Sequence, residues 1–168
     1  MAITFNAEYW IKKLNLTRHI EGGYFRESYK AIEKIEKQSL PDRYDGNRSF
    51  SSSIYYLLKY DEVSKIHRIL SDEMWYFHCG SSATLYMFGN NQSMVIKKLG
   101  LKIDEFEFPQ VLIPKGTYFG AEVNDKKSFI LASCHVSPGF DYNDYNIPKK
   151  ELMISEYPKY TNIINKLL

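Results

Sequence analysis

His67-Arg68-Ile69-Leu70-Ser71-Asp72-Glu73, followed by Met74-Trp75-Tyr76-Phe77-His78-Cys79-Gly80, is the stretch on which the fold turns. Successive side chains of an extended chain point to opposite faces. Ser64 to Leu70 therefore predicts a strand with His67 and Ile69 on one face. Ser71-Asp72 predicts a turn, and Glu73 to His78 a second strand with Glu73, Trp75 and Phe77 together. The expectation is two adjacent antiparallel strands across a tight turn, with an imidazole and a carboxylate converging at one end. Such a pair can ligate a metal or do acid–base work. It can equally be an ordinary hydrogen-bonded pair.

Similar short alternating runs lie on both sides of this stretch. Glu21-Gly22-Gly23 marks a turn or bulge, after which Tyr24, Arg26 and Ser28 share one strand face and Phe25, Glu27 and Tyr29 the other. Ser51 to Leu58, Ala83 to Phe88, Ser93 to Leu99, Gln110 to Ile113, Tyr118 to Val123 and Ser128 to Val136 are further strands. Gly89-Asn90-Asn91 suits a hairpin, Pro114-Lys115-Gly116 a turn, and the polar residues 31–48 a surface loop. Asn6 can cap a helix to about Asn15, with Trp10, Ile11 and Leu14 on one face, and two more helices are expected near 148–155 and 158–167. Some ten short strands with helices at the ends make an all-β sandwich or barrel.

Composition agrees and excludes several classes. Aromatic residues are 15% of the chain, with 14 Tyr and 10 Phe, as pleated half-buried surfaces favour. The net charge of +2, from 22 basic and 20 acidic side chains, leaves no footprint for nucleic acid. No apolar run approaches the ~20 residues that span a bilayer. The start, Met1 to Glu8, lacks the pattern of a signal peptide, and Cys79 and Cys134 are too few for a disulfide scaffold. The expectation is a single domain over residues 1–168 in the cytoplasm, with two free thiols.

The central stretch resembles the first cupin motif, G-x5-H-x-H-x3,4-E-x6-G, with His67 as the first His, Glu73 as the Glu and Gly80 as the closing Gly. Pro114-Lys115-Gly116-Thr117-Tyr118-Phe119 resembles part of the second motif. Glu21-Gly22-Gly23-Tyr24-Phe25-Arg26-Glu27, Ser71 to His78 and Val136-Ser137-Pro138-Gly139-Phe140-Asp141 together resemble a branch without known function, the fifth cupin family. The resemblance implies a jelly-roll barrel, the double-stranded β-helix, over about residues 20–145. It also implies a homodimer, since cupin barrels commonly pair by sheet extension.

Typical metal-binding cupins use two His and a Glu from the first motif and a third His from the second. Here Ile69 stands at the second His and Phe119 at the third. No cofactor is therefore expected, a divalent metal at His67 and Glu73 being the alternative. The resemblance extends to metal-free sugar epimerases, which use a barrel His as base and a Tyr as acid. It implies His67 as base, of near-neutral pKa and tunable by a carboxylate such as Glu73, with Tyr24, Tyr56 or Tyr118 as acid. Arg26 would hold an anionic or hydroxyl-rich ligand, and Trp75 and Phe119 would form flat apolar walls. Glu21 and Ser52 complete the candidate binding set. The expected ligand is small and polar, carbohydrate- or nucleotide-like. His78 should point away from the pocket by strand parity, and His19 reads as structural or exposed.

Overall fold

The computed structural model describes residues 5–168. Residues 1–4, part of the start from which the lack of a signal peptide was expected, lie outside the described residues. The helices are α1 (Ala7–Lys13), α2 (Lys150–Glu156) and α3 (Thr161–Leu167). The first strands are β1 (Thr17–Arg18), β2 (Tyr24–Lys30), β3 (Lys34–Ile35), β4 (Arg48–Ser49), β5 (Ser52–Lys59) and β6 (Val63–His67). They are followed by β7 (Asp72–Gly80), β8 (Ala83–Phe88), β9 (Met94–Leu99) and β10 (Glu107–Phe108). The last are β11 (Gln110–Ile113), β12 (Tyr118–Val123) and β13 (Phe129–Ser137).

Two sheets face each other. One runs β1-β2-β5-β13-β7-β11, the other β10-β9-β8-β12-β6, and β3-β4 forms a separate ribbon. All pairings within the two large sheets are antiparallel except β9 with β10. The architecture is the expected jelly roll, built as a sandwich, with no strand pairing that joins the two sheets among the described residues. Leu58, Trp75, Leu85, Phe119, Ile130 and Cys134 fill the space between the sheets. Helices cover part of each outer face. Trp10, Ile11 and Leu14 of the α1 region lie on Leu57 and Leu131, which is why β13 is apolar on both sides at that end. Met153 and Tyr157 at the end of α2, with Ile164 and Leu167 of α3, lie on Ile66 and Phe88. No helix of the described residues is long and apolar enough to cross a membrane.

Two expectations are corrected. The strands carrying His67 and Glu73 are not adjacent partners. β6 pairs with β12 in one sheet, while β7 lies between β13 and β11 in the other. Residues 68–71 turn the corner between sheets, so the two side chains line one cavity from opposite sheets. Residues 31–48 are not simply a surface loop either. Tyr44 is fully buried, its hydroxyl 2.9 Å from Ser71 Oγ, and Arg48 is buried as well.

The glycine ending the first motif has a steric role. Gly80 has φ of +96°, and a Cβ there would lie 2.0 Å from the Phe129 carbonyl oxygen. Gly80→Ala is expected to lower stability by about 1–3 kcal/mol. The urea midpoint should fall with little change in slope. An unchanged midpoint would mean that β7 and β13 pair without this close approach.

Candidate functional site

Between the sheets is a cavity of about 280 Å³. Its inner end is set by His67, the last residue of β6. The Nδ1–H donates to the Lys65 carbonyl at 2.7 Å, because a carbonyl can only accept. This leaves Nε2 as the lone-pair nitrogen, 3.3 Å from Glu21 Oε1. The imidazole is sandwiched by Phe119 at 4.4 Å and Tyr145 at 5.5 Å between ring centroids.

Glu21 reaches this point because Gly22 follows it. Gly22 has φ of +108°, and a Cβ there would meet the Val63 carbonyl oxygen at 2.1 Å. Only glycine lets the chain pass this close to β6. Tyr56 then donates its hydroxyl to the Gly22 carbonyl at 2.9 Å. From the opposite sheet Glu73 accepts the Trp75 indole N–H at 2.7 Å.

Burial controls the charge of these groups. His67 and His19 are each lowered to about 4, so both imidazoles are neutral at pH 7. Burial pushes the Glu73 carboxyl up to about 7. Burial and the neighbouring Glu73 raise Glu21 well above the ordinary carboxylate range. His67 and Glu21 are within ion-pair distance, but burial disfavours charge on both. The neutral arrangement, with Glu21 holding a proton towards His67 Nε2, satisfies both shifts. The buried Tyr145 hydroxyl approaches Glu21 without closing a hydrogen bond.

Of the residues expected at the site, Glu21, Ser52, Tyr56, His67, Glu73 and Trp75 line the cavity. Ser52 Oγ accepts from the Phe140 amide at 2.9 Å and so holds the segment that borders the opening. Phe119 is fully buried behind His67 and backs the site without lining the cavity.

Three expected members lie elsewhere. Tyr118 points outward because its neighbour Phe119 points in. Its hydroxyl donates to Asn146 Oδ1 at 2.7 Å beneath the Arg68 guanidinium. Tyr24 lies on the outer face between Arg18 and Lys59, and Arg26 lies over the Tyr55 ring. The inward face of β2 is that of Phe25 and Glu27. A register shift between Glu27 and Tyr29 then brings Lys30 to the cavity instead of Tyr29. His78 faces outward to Ser133 Oγ at 2.6 Å, as parity predicts. His19, by contrast, lines the cavity, its ring 4.5 Å from Phe25.

Several lining residues were not anticipated. Phe140, Asp141 and Tyr142 border the cavity after β13, beside Glu27 and Lys30. The exposure of Glu27, Lys30 and Tyr142 marks this as the open end. Phe140 and Asp141 stand in the last stretch that carries the cupin resemblance, but the aromatic-rich run after Pro138-Gly139 has no strand or helix period that would place them at the cavity.

Two facing antiparallel sheets with an inner site opening between them define a cupin-type jelly roll. The chain belongs to the family described as Cupin superfamily (DUF985), which matches residues 8–148. An uncharacterised protein of Saccharomyces cerevisiae, YML079W, is 27% identical over 150 residues, 84% of this chain and 74% of that one. The crystal structure of protein SO0799 from Shewanella oneidensis matches with a TM-score of 0.88 and 39% identity, covering 98% of both chains. A hypothetical protein from Leishmania major matches with a TM-score of 0.87 and 29% identity, covering 97% of this chain and 98% of that one. Oxalate decarboxylase from Bacillus subtilis is similar in fold alone, with a TM-score of 0.55 and 18% identity over 90% of this chain and 36% of that one.

A cupin metal does not fit the donor set found here. Ile69 and Phe119 offer hydrocarbon at two ligand positions. His67 turns its lone pair to Glu21, and Glu73 accepts from Trp75. Among the described residues no three His, Cys, Asp or Glu side chains are grouped to hold a metal ion.

Proposed function

We propose that the protein binds a small polar organic molecule, carbohydrate-like in size, between its sheets and without a catalytic metal. The observation that carries this reading is the cavity itself. Buried Glu21, His67 and Glu73 converge there, beside apolar walls from Phe25, Ile54, Ile69 and Trp75. A cavity of about 280 Å³ is at the small end of ligand pockets, which span about 300–1,000 Å³. Arg26 faces away, which removes the main support for a nucleotide-like ligand.

The test is saturation-transfer NMR against a library of small polar compounds, on the native chain and on Ile69→Phe, which fills the cavity. Binding to the native chain and its loss in the variant are expected. Compounds that bind both proteins equally would sink the proposal.

A second reading, isomerase or epimerase chemistry, draws support from one pKa. Burial that lowers His67 to about 4 makes it a weak base, whereas Glu73 at about 7 is matched to proton transfer near neutrality. The acid–base role in such a reaction passes from His67 to Glu73, and of the three tyrosines expected as acid Tyr56 lines the cavity.

We also propose the homodimer implied by the resemblance. Tyr29, Tyr76 and Leu112, on strands of the six-stranded sheet, are exposed and available for such a contact. Sedimentation velocity should give twice the chain mass, and a monomer at micromolar concentration would contradict it.

A further inference from the structure

The charges around the cavity define a ligand class more narrowly. Four carboxyl groups line it, Glu21 and Glu73 at the inner end and Glu27 and Asp141 towards the opening. Among the described residues the only lining lysine is Lys30, whose ammonium already donates to the Phe140 carbonyl at 3.3 Å, and no arginine lines the cavity. The two lining imidazoles are neutral at pH 7, so they add no positive charge. An entering phosphate or carboxylate would meet like charge at the opening and unionised or like-charged groups within.

One buried carboxyl has a single strong donor. Glu73 is 7% exposed, and its Oε1 takes the Trp75 N–H. Apart from that bond, its polar partner is the thiol of Cys134, a weak donor. Trp75, Tyr56 and Phe25 line the same cavity, and with the Trp75 N–H and the Tyr56 hydroxyl already donating, what these rings have left to offer a ligand is π-electron density.

From this geometry we infer that the ligand carries a protonated amine or quaternary ammonium, seated between Glu73, Glu21 and the aromatic wall. The inference rests on the cavity being a ligand site and adds the sign of the ligand's charge. An ammonium gives Glu73 the charged donor it lacks, and a quaternary ammonium is held by the rings through cation–π attraction. Glu27 and Asp141 at the opening favour the entry of a cation.

The test uses matched probes of one shape and different charge. Cyclohexylamine is compared with cyclohexanol and cyclohexanecarboxylate, and choline with its carbon isostere dimethylbutanol. Affinities are measured by ligand-observed NMR at about pH 8. The cationic member of each set is expected to bind about tenfold or more tightly than the neutral one, and the carboxylate not at all. Glu73→Gln keeps the acceptor for Trp75 and should bring the cation down to the affinity of the alcohol. Should that variant fail to fold, Glu27→Gln with Asp141→Asn at the opening is expected to narrow the same preference.

Alcohols that bind as tightly as ammonium compounds would overturn the inference. If Ile69→Phe abolished that binding, the cavity reading would stand without it. A preference for the cation that persists in Glu73→Gln would overturn the assignment to Glu73. Failure of every member to bind would overturn both readings.

Discussion

Asp144→Ala is expected to cost about 3 kcal/mol of folding stability and to lower the melting temperature by about 6–12 °C. Arg48 and Asp144 have side chains only 3% and 2% exposed, and they meet as a two-pronged pair. The Arg48 Nη2 lies 2.5 Å from Asp144 Oδ1, and Nε lies 2.8 Å from Oδ2. Truncating Asp144 leaves a guanidinium beneath the surface with the exposed Asp45 as its remaining ion-pair partner. Removing one member of a buried pair is far more damaging than replacing both, since the residual charge stays desolvated. Arg48→Met with Asp144→Leu should therefore recover most of the loss. The same pair ties the segment after β13, with Phe140, Asp141, Tyr142 and Tyr145, to β4 near the site. Hydrogen exchange across residues 140–146 should accelerate in Asp144→Ala beyond the global change. Exchange confined to the global change would show that the pair stabilises the fold without fixing the segment.

This buried pair also shows where the sequence is silent. The alternation in Ser52–Lys59 and Asp72–Gly80 and the apolar run in Phe129–Ser137 make these strands visible from the sequence pattern alone. The pairing of His67 with Glu21 is not visible. A short Arg-Ile-Leu-Ser connection looks the same whether it closes a hairpin or turns the chain from one sheet to the other. Only long-range pairing of β6 with β12 and of β7 with β13 decides which. Parity has a similar limit. It separates Tyr24 and Arg26 from Phe25 and Glu27, but each set holds one aromatic and one charge, so chemistry does not reveal the inward set. The register shift before Tyr29 then breaks the alternation altogether. Arg48 and Asp144, 96 residues apart, lie in stretches whose polarity predicts exposure. Six of the ten candidate residues nonetheless line the cavity, because the motif spacing places His67 and Glu73 and a glycine turn places Glu21.

Glu73→Gln is expected to stabilise the protein increasingly as pH rises. Burial holds the folded-state value of Glu73 near 7 against an ordinary 4.5. Between these pH values the unfolded chain has released the proton that the folded chain still holds, so stability falls as pH rises. The contribution of the neutral carboxyl is complete below 4.5 and is lost as pH passes through about 7. The whole displacement corresponds to about 3 kcal/mol. His19 and His67 act in the opposite sense. Their folded values of about 4 lie below the ordinary 6.5, so across that interval the unfolded chain binds more protons and stability rises with pH. Glu21, raised in the same direction as Glu73, opposes them. The native chain therefore shows partial cancellation, whereas its difference from Glu73→Gln isolates one carboxyl. Urea titrations should give a difference that is small near pH 4.5 and reaches about 3 kcal/mol in favour of the variant by about pH 8. A pH-independent difference would mean that Glu73 titrates as an ordinary carboxylate. The penalty for ionising the buried Glu73 is the free energy that a cationic ligand would relieve. Such a ligand should stabilise the native chain more at pH 8 than at pH 5 and should show no such gain in Glu73→Gln.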